Sequence, residues 1–245
     1  MSTRLVMLPG TLCDQRLFAA VARRLRPGIA VRVARWPELL CRRAPTWWTS
    51  GESISLLGFS LGGIWALQQL EGLHGQASPV PIERLALVGS NAEPAGSSHR
   101  KRALQQQRLL RRRGVAAVAR AAKGHYFARR PASWQLRLVV DMARRTRVAT
   151  ARKQIQLAAQ RPDGLHAFAS FPGPVAVLSG AQDRLCPPVQ QQRLRAARDD
   201  AFAVAWEGCG HMIPLEAPGR LAQAIRRWLA QDLTPGTQSC QACTP

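Results

Sequence analysis

The chain has 245 residues, 46% of them hydrophobic, which suits one α/β domain or two small ones with a sizeable core. No apolar run reaches the roughly 18 residues that span a bilayer, no signal-peptide pattern opens the chain, and six scattered cysteines argue against a disulfide scaffold, so a cytoplasmic protein with no membrane span is expected. The net charge of +21 is nearly all arginine and is uneven: from His99 to Lys153 there are 17 Lys and Arg against one acid, Asp141, a segment suited to an anionic partner.

In chain order, Arg4 to Leu8 reads as a strand ending in Pro9-Gly10-Thr11-Leu12. Asp14 can cap a helix from about Gln15 to Leu25, with Leu17, Phe18, Val21 and Leu25 on one face, before Pro27-Gly28 stops it. Ile29 to Val33 is a second strand. Residues 36 to 52 carry no clear element, because two prolines and a glycine limit any helix to a turn or two. Trp36, Trp47 and Trp48 are candidates to cover the sheet there. Ser53 to Leu57 is a third strand, Leu61 to Gly72 a helix and Arg84 to Gly89 a fourth strand, with a loop from Pro79 to Ile82.

From Asn91 to about Gly164 only helices are expected: Arg100 to Arg113, Val115 to Ala122, Ala132 to Val148 and Ala151 to Gln160. Trp134, Leu138 and Met142 mark one apolar face. Pro174 to Ser179 and Ala201 to Trp206 complete six strands. Helices follow each, Val189 to Ala197 and Pro218 to Leu229. Alternating strands and helices predict a mostly parallel six-stranded α/β sheet. The core is expected over 1–91 and 166–233, a helical insertion over 92–165 and a disordered tail over 234–245.

The richest stretch is Gly58-Phe59-Ser60-Leu61-Gly62-Gly63, a G-x-S-x-G pattern between a strand and a helix. A serine hydroxyl attacks well only when it is held exposed beside a base, with donors waiting for the oxyanion. A sharp strand-to-helix turn provides the exposure, and glycines two residues before and after the serine remove Cβ atoms that would collide. The helix that follows aims its free N–H groups at the developing charge. The base candidate is His211, in Glu207-Gly208-Cys209-Gly210-His211-Met212 after the sixth strand. His74, His99, His125 and His166 occupy less suggestive places. The acid candidate is Asp183, after the fifth strand, with Glu93 after the fourth as its rival. Strand C-termini are where ligand chemistry collects in open parallel sheets, and the chain order is Ser60, Asp183, His211.

With Leu8-Pro9-Gly10-Thr11, Gly180-Ala181-Gln182-Asp183 with Pro187, and Gly208-Cys209-Gly210-His211-Met212 with Leu215-Glu216, the chain resembles the α/β-hydrolases, in particular small lid-bearing serine esterases, from residue 5 to about 229. The resemblance implies Ser60 as nucleophile, His211 as base then acid, and Asp183 as its orienter. It implies an oxyanion hole from the backbone N–H of Leu61 and of Thr11, or Leu12 in another loop register, and residues 92–165 as a lid. No cofactor and no metal are implied. The chain departs from the pattern at Pro9, where the family has histidine, in its short connection from Val33 to Ser53, and in starting at the oxyanion-loop strand.

The expected activity is hydrolysis of a carboxylic ester or related small acyl substrate. A thioesterase, C–C bond hydrolase or lyase on the same fold, and a non-catalytic binding protein, are the alternatives. The basic lid could meet an acidic carrier protein or an anionic substrate. No nucleic-acid-binding motif accompanies the arginines, so no specific nucleic acid is expected. Cys240-x-x-Cys243 has ligand spacing but no second pair.

Overall fold

The computed structural model describes residues 4–41, 45, 47, 53–72 and 82–231. Trp48, His74, Cys240, Cys243, the 79–81 part of the predicted loop and the 234–245 tail lie outside the described residues. The sheet has six strands: β1 (Arg4–Leu8), β2 (Ala30–Val33), β3 (Ile54–Phe59), β4 (Ile82–Val88), β5 (Val175–Gly180) and β6 (Phe202–Trp206). Their order is β2-β1-β3-β4-β5-β6 and every pairing is parallel.

Buried β-strands alternate their side chains between two covered faces, which is why the sequence shows near-continuous apolar runs. Leu5, Met7, Leu57, Phe59, Ala86, Val88, Ala176 and Leu178 face one layer. Val6, Leu8, Ile54, Leu56, Leu85, Leu87, Val175 and Val177 face the other. Helix α1 (Ala19–Leu25) covers the first layer with Val21 and Leu25. A one-turn helix, α2 (Trp36–Leu39), and α3 (Leu61–Gly72) cover the second.

The chain leaves β1 toward β2 on one side and resumes at β3 on the other. The strand order therefore reverses between β1 and β3, and a crevice opens at their C-terminal ends. Gly10 and Ser60 stand at those two ends.

Between β4 and β5 lie α4 (Ser97–Arg113), α5 (Val115–Ala121), α6 (Ser133–Arg145), α7 (Val148–Gln160) and α8 (Leu165–Ala169). The first four bury Leu110, Val118, Val139, Met142 and Ile155 in the layer that also holds Phe59. Helix α9 (Pro188–Ala197) follows β5, and α10 (Ile213–Glu216) and α11 (Pro218–Leu229) follow β6. Among the described residues no helix is long and apolar enough to cross a membrane.

Several expectations change in detail. The helix after Asp14 begins as a 3-10 turn, Gln15–Phe18, because Asp14 Oδ1 accepts the Arg16 N–H at 2.9 Å and tightens the entry. His166 sits in α8, too short for periodicity to reveal. The α6 stripe holds at Leu138 and Met142 but not at Trp134. Val139, Val140, Met142 and Ala143 are buried, whereas Trp134 is 51% exposed.

The short β2–β3 connection does not strip the sheet. Trp36, Leu39 and Trp47 are buried on the second layer, and Trp47 packs on Trp65 with ring centroids 6.5 Å apart. Trp65 Nε1–H donates to the Leu39 carbonyl at 3.0 Å. Burial of each such ring contributes on the order of 3 kcal/mol.

Candidate active site

The turn after β3 forces Ser60 to φ 51°, a left-handed conformation that a non-glycine residue adopts only under constraint. The constraint is visible. Ser60 N–H donates to the Val88 carbonyl at 2.9 Å, and its own carbonyl accepts the Gly63 N–H at 3.0 Å and the Ser90 hydroxyl at 2.8 Å. A Cβ on Gly58 would overlap the Gly63 backbone, and one on Gly62 would overlap Leu8. Both glycines are thus required by close backbone approach, as the motif predicts.

The loop after β6 brings His211 over this turn. Glu216 holds the loop: its Oε1 accepts the Gly210 N–H at 3.0 Å and its Oε2 accepts the Ala128 N–H at 2.9 Å, tying the loop to the helical insertion. Burial pushes the Glu216 carboxyl above its ordinary range, and the two N–H donors offset part of that rise. Met212 N–H adds a second tie, to the Tyr126 carbonyl at 2.9 Å.

The turn after β5 presents Asp183. Its Oδ1 accepts the N–H groups of Leu185 at 2.8 Å and Cys186 at 2.9 Å, so the carboxylate is fixed before it meets the histidine. Its Oδ2 lies 2.8 Å from His211 Nδ1, and His211 Nε2 lies 3.1 Å from Ser60 Oγ. Asp183 and His211 are both nearly inaccessible, at 2% and 3% exposure. A carboxylate accepts only, so Nδ1 carries the proton and the Nε2 lone pair faces the serine hydroxyl.

The rival acid is elsewhere. The Glu93 carboxylate receives Arg193 Nη1–H and Gln190 Nε2–H, each at 2.8 Å.

At the end of β1, Gly10 to Cys13 form a tight turn closed by Cys13 N–H to the Gly10 carbonyl at 3.2 Å, with Leu12 at φ 58°. Leu12 N–H is committed: it donates to Gln154 Oε1 of α7 at 2.9 Å. Among the described residues, the N–H groups of Thr11 and Leu61 have no protein acceptor. The Gly10 carbonyl also accepts Trp36 Nε1–H at 2.8 Å, so a tryptophan from the short connection braces the loop.

Ser60, His211, Thr11 and Leu61 line a cavity of about 370 Å³ whose other wall includes Leu109 and Ile155 from the insertion. That is the size of a small-molecule pocket. Asp183, Cys186 and His211 also have ligand atoms within 4.8 Å of one another. The Cys186 thiol, however, is pushed up to about 12, first by burial and then by Asp183, so at neutral pH it offers no thiolate.

The α/β-hydrolase family model matches residues 14–224, nearly all of the described chain. The chain belongs to the alpha/beta hydrolase family. As a member of it, the protein is a hydrolase enzyme. Solved structures agree on the fold. An esterase from Thermogutta terrifontis superposes with a TM-score of 0.77 at 19% identity, over 93% of this chain and 89% of that one. An esterase from Exiguobacterium antarcticum gives 0.77 at 13% identity, over 94% and 92%. An enol-lactonase from Burkholderia xenovorans LB400 gives 0.75 at 18% identity, over 94% and 92%. No curated protein sequence matches the chain.

Sequence reasoning missed Glu216, Gln154 and Ser90 as the supports of this hydrolase site. Glu216 lay inside a quoted motif. Gln154 had no signal, since its partner Leu12 is 142 residues away.

Proposed function

We propose that the protein is a serine hydrolase of carboxylic esters that works through an acyl-enzyme. The observation that carries this reading is the continuous hydrogen-bonded line from Asp183 through His211 to Ser60 at the floor of the cavity. Ser60 Oγ attacks the ester carbonyl while His211 Nε2 takes its proton. Asp183 holds the imidazole in the required tautomer and stabilises the imidazolium. The oxyanion of the tetrahedral intermediate accepts from the N–H groups of Leu61 and Thr11. One such donor is worth about 3 kcal/mol of barrier. His211 then gives its proton to the leaving alcohol and, in the second half, activates water to release the acid.

The helical insertion, residues 92–165, serves as the lid, since its side chains form the far wall of the cavity. A non-catalytic role is disfavoured: the two departures that would motivate it, Pro9 and the short connection, are compensated by Trp36 and by the buried tryptophan cluster. The free thiols of Cys13, Cys41, Cys186 and Cys209 support a reducing compartment such as the cytoplasm.

A panel of p-nitrophenyl esters of increasing chain length, with the matching thioesters, tests the reading. Ester turnover that is lost in Ser60→Ala is expected. Turnover that survives in Ser60→Ala, or turnover of thioesters alone, would overturn it.

A further inference from the structure

One end of the cavity is lined by Arg161, Arg102 and His99. Arg161, the residue that ends α7, is only 7% exposed. A guanidinium so deeply buried is costly unless an anion compensates it. Glu93 acts on it through space, but among the described residues no carboxylate is hydrogen-bonded to it. Its Nε–H donates to the Glu93 carbonyl at 2.7 Å and its Nη1 to the Ala158 carbonyl at 3.2 Å. The nearby Glu93 carboxylate is hydrogen-bonded to Arg193 and Gln190 instead. The two carbonyl bonds leave three of the five guanidinium N–H groups over.

The remaining contact makes the deficit sharper. Arg161 Nη2 lies 3.0 Å from His99 Nε2, while His99 Nδ1 receives the Gly96 N–H at 3.1 Å. Burial, then Arg161 and Arg102, push His99 below its ordinary value, so the ring is neutral at pH 7. A neutral imidazole accepts at one nitrogen only. Gly96 N–H and Arg161 Nη2–H therefore compete for a single imidazole lone pair, and His99 cannot satisfy both. An anionic oxygen bound beside Arg161 would supply the missing acceptor. Arg102, one helical turn from His99 and exposed, adds a second positive charge at the same wall.

We propose that Arg161, with His99 and Arg102, forms an anion subsite of the catalytic cavity that selects acyl substrates carrying a second, negatively charged group, a carboxylate. The subsite rests on the serine-hydrolase reading for its connection to catalysis. It differs from the general positive charge of the insertion, because Arg161 is buried and is therefore screened little by salt.

The test compares p-nitrophenyl half-esters of six-, eight- and ten-carbon dicarboxylic acids with the neutral acyl esters of the same lengths. The quantity read is the ratio of kcat/KM, charged over neutral, at the best length. The wild-type ratio is expected on the order of tenfold to a hundredfold, as for a hydrogen bond to a charged group. Arg161→Met should lower that ratio at least tenfold and Arg161→Lys less. Arg112→Ala, exposed on α4 outside the cavity, should keep the wild-type ratio. A wild-type ratio near one, a ratio unchanged in Arg161→Met, or an equal fall in Arg112→Ala would overturn the subsite. Should Arg161→Met not fold, Arg161→Lys and Arg102→Ala decide: a severalfold fall is expected in each, and an unchanged ratio in both refutes it. A binding arm separates this failure from failure of the hydrolase reading. Calorimetric titration of Ser60→Ala with the monomethyl ester of the eight-carbon diacid should give a Kd that weakens severalfold when Arg161→Lys is added, whether or not any ester is turned over; equal Kd values would overturn the subsite.

Discussion

Asp183→Asn is the substitution that isolates the chemistry from the fold. Asparagine fills the same space and has one acceptor oxygen and one NH2. Turned one way, its oxygen keeps the N–H groups of Leu185 and Cys186, two bonds of 2.8 and 2.9 Å in the wild type. Turned the other way it keeps only the bond to His211 and sets an NH2 against both backbone donors. The first orientation therefore wins, by about one net hydrogen bond. It points the NH2 at His211 Nδ1, which must then give up its proton. The ring adopts the other tautomer, and Nε2–H, rather than a lone pair, faces Ser60 Oγ across 3.1 Å. The general base is lost with the backbone undisturbed. A wrong-tautomer triad costs about 10⁴ in kcat, equivalent to about 5.4 kcal/mol of barrier. Stopped-flow or long-time assays on the best p-nitrophenyl ester would measure it, with thermal melting to show that stability changes by less than about 1.5 kcal/mol. Asp183→Ala, which orphans both backbone donors, should lose activity and stability together. An Asp183→Asn enzyme within tenfold of wild type would refute the tautomer argument.

Three further outcomes follow from the supports of the site. Gln154→Leu leaves the buried Leu12 N–H without its acceptor and should destabilise the protein by about 1–3 kcal/mol in urea unfolding, with a lower kcat from a looser oxyanion turn; an unchanged midpoint would show that the bond does not hold the turn. Trp36→Phe keeps an aromatic ring but removes the donor to the Gly10 carbonyl and leaves a void where the indole N–H ring was buried, and should cost about 2–4 kcal/mol of stability in the same assay. Glu216 has a raised folded-state value, so its contribution is most favourable below the unfolded value near 4.5 and is lost as pH rises through the folded one. The Tm difference between Glu216→Gln and wild type should accordingly move in favour of the variant from pH 4.5 to pH 7; a constant difference, or the opposite trend, contradicts the burial argument.

The sequence revealed the parts of the site that rest on local chain geometry. Gly58 and Gly62 flank Ser60 because the backbone passes too close for a Cβ, and such a demand is written within five residues. That Asp183 and His211 lie near Ser60 was legible because each follows a strand, where a parallel sheet opens to ligands. What was not legible depends on contacts between distant segments. Gln154 meets Leu12, Glu216 meets Ala128, and Arg161 meets Glu93 only after the insertion docks. The α6 face was legible at Leu138 and Met142, which pack on the core, but Trp134, one turn nearer the helix start on the same stripe, is left outside. Periodicity identifies a helix face without saying what will cover it. The connection from residue 36 was unreadable as an element because what it packs on the sheet is two tryptophan rings, Trp36 and Trp47, rather than a periodic run, with Trp65 of α3 beside them.

One measurement bears on Ser60 itself. A fluorophosphonate probe reacts only with a serine that is already activated by a base and faces an oxyanion hole. Incubation of the folded protein followed by intact-mass and peptide mass spectrometry should show one adduct per chain, on the peptide that contains Ser60, absent from Ser60→Ala and strongly slowed in Asp183→Asn. A folded protein that stays unlabelled, or an adduct on any other serine, would contradict the assignment of Ser60 as the nucleophile.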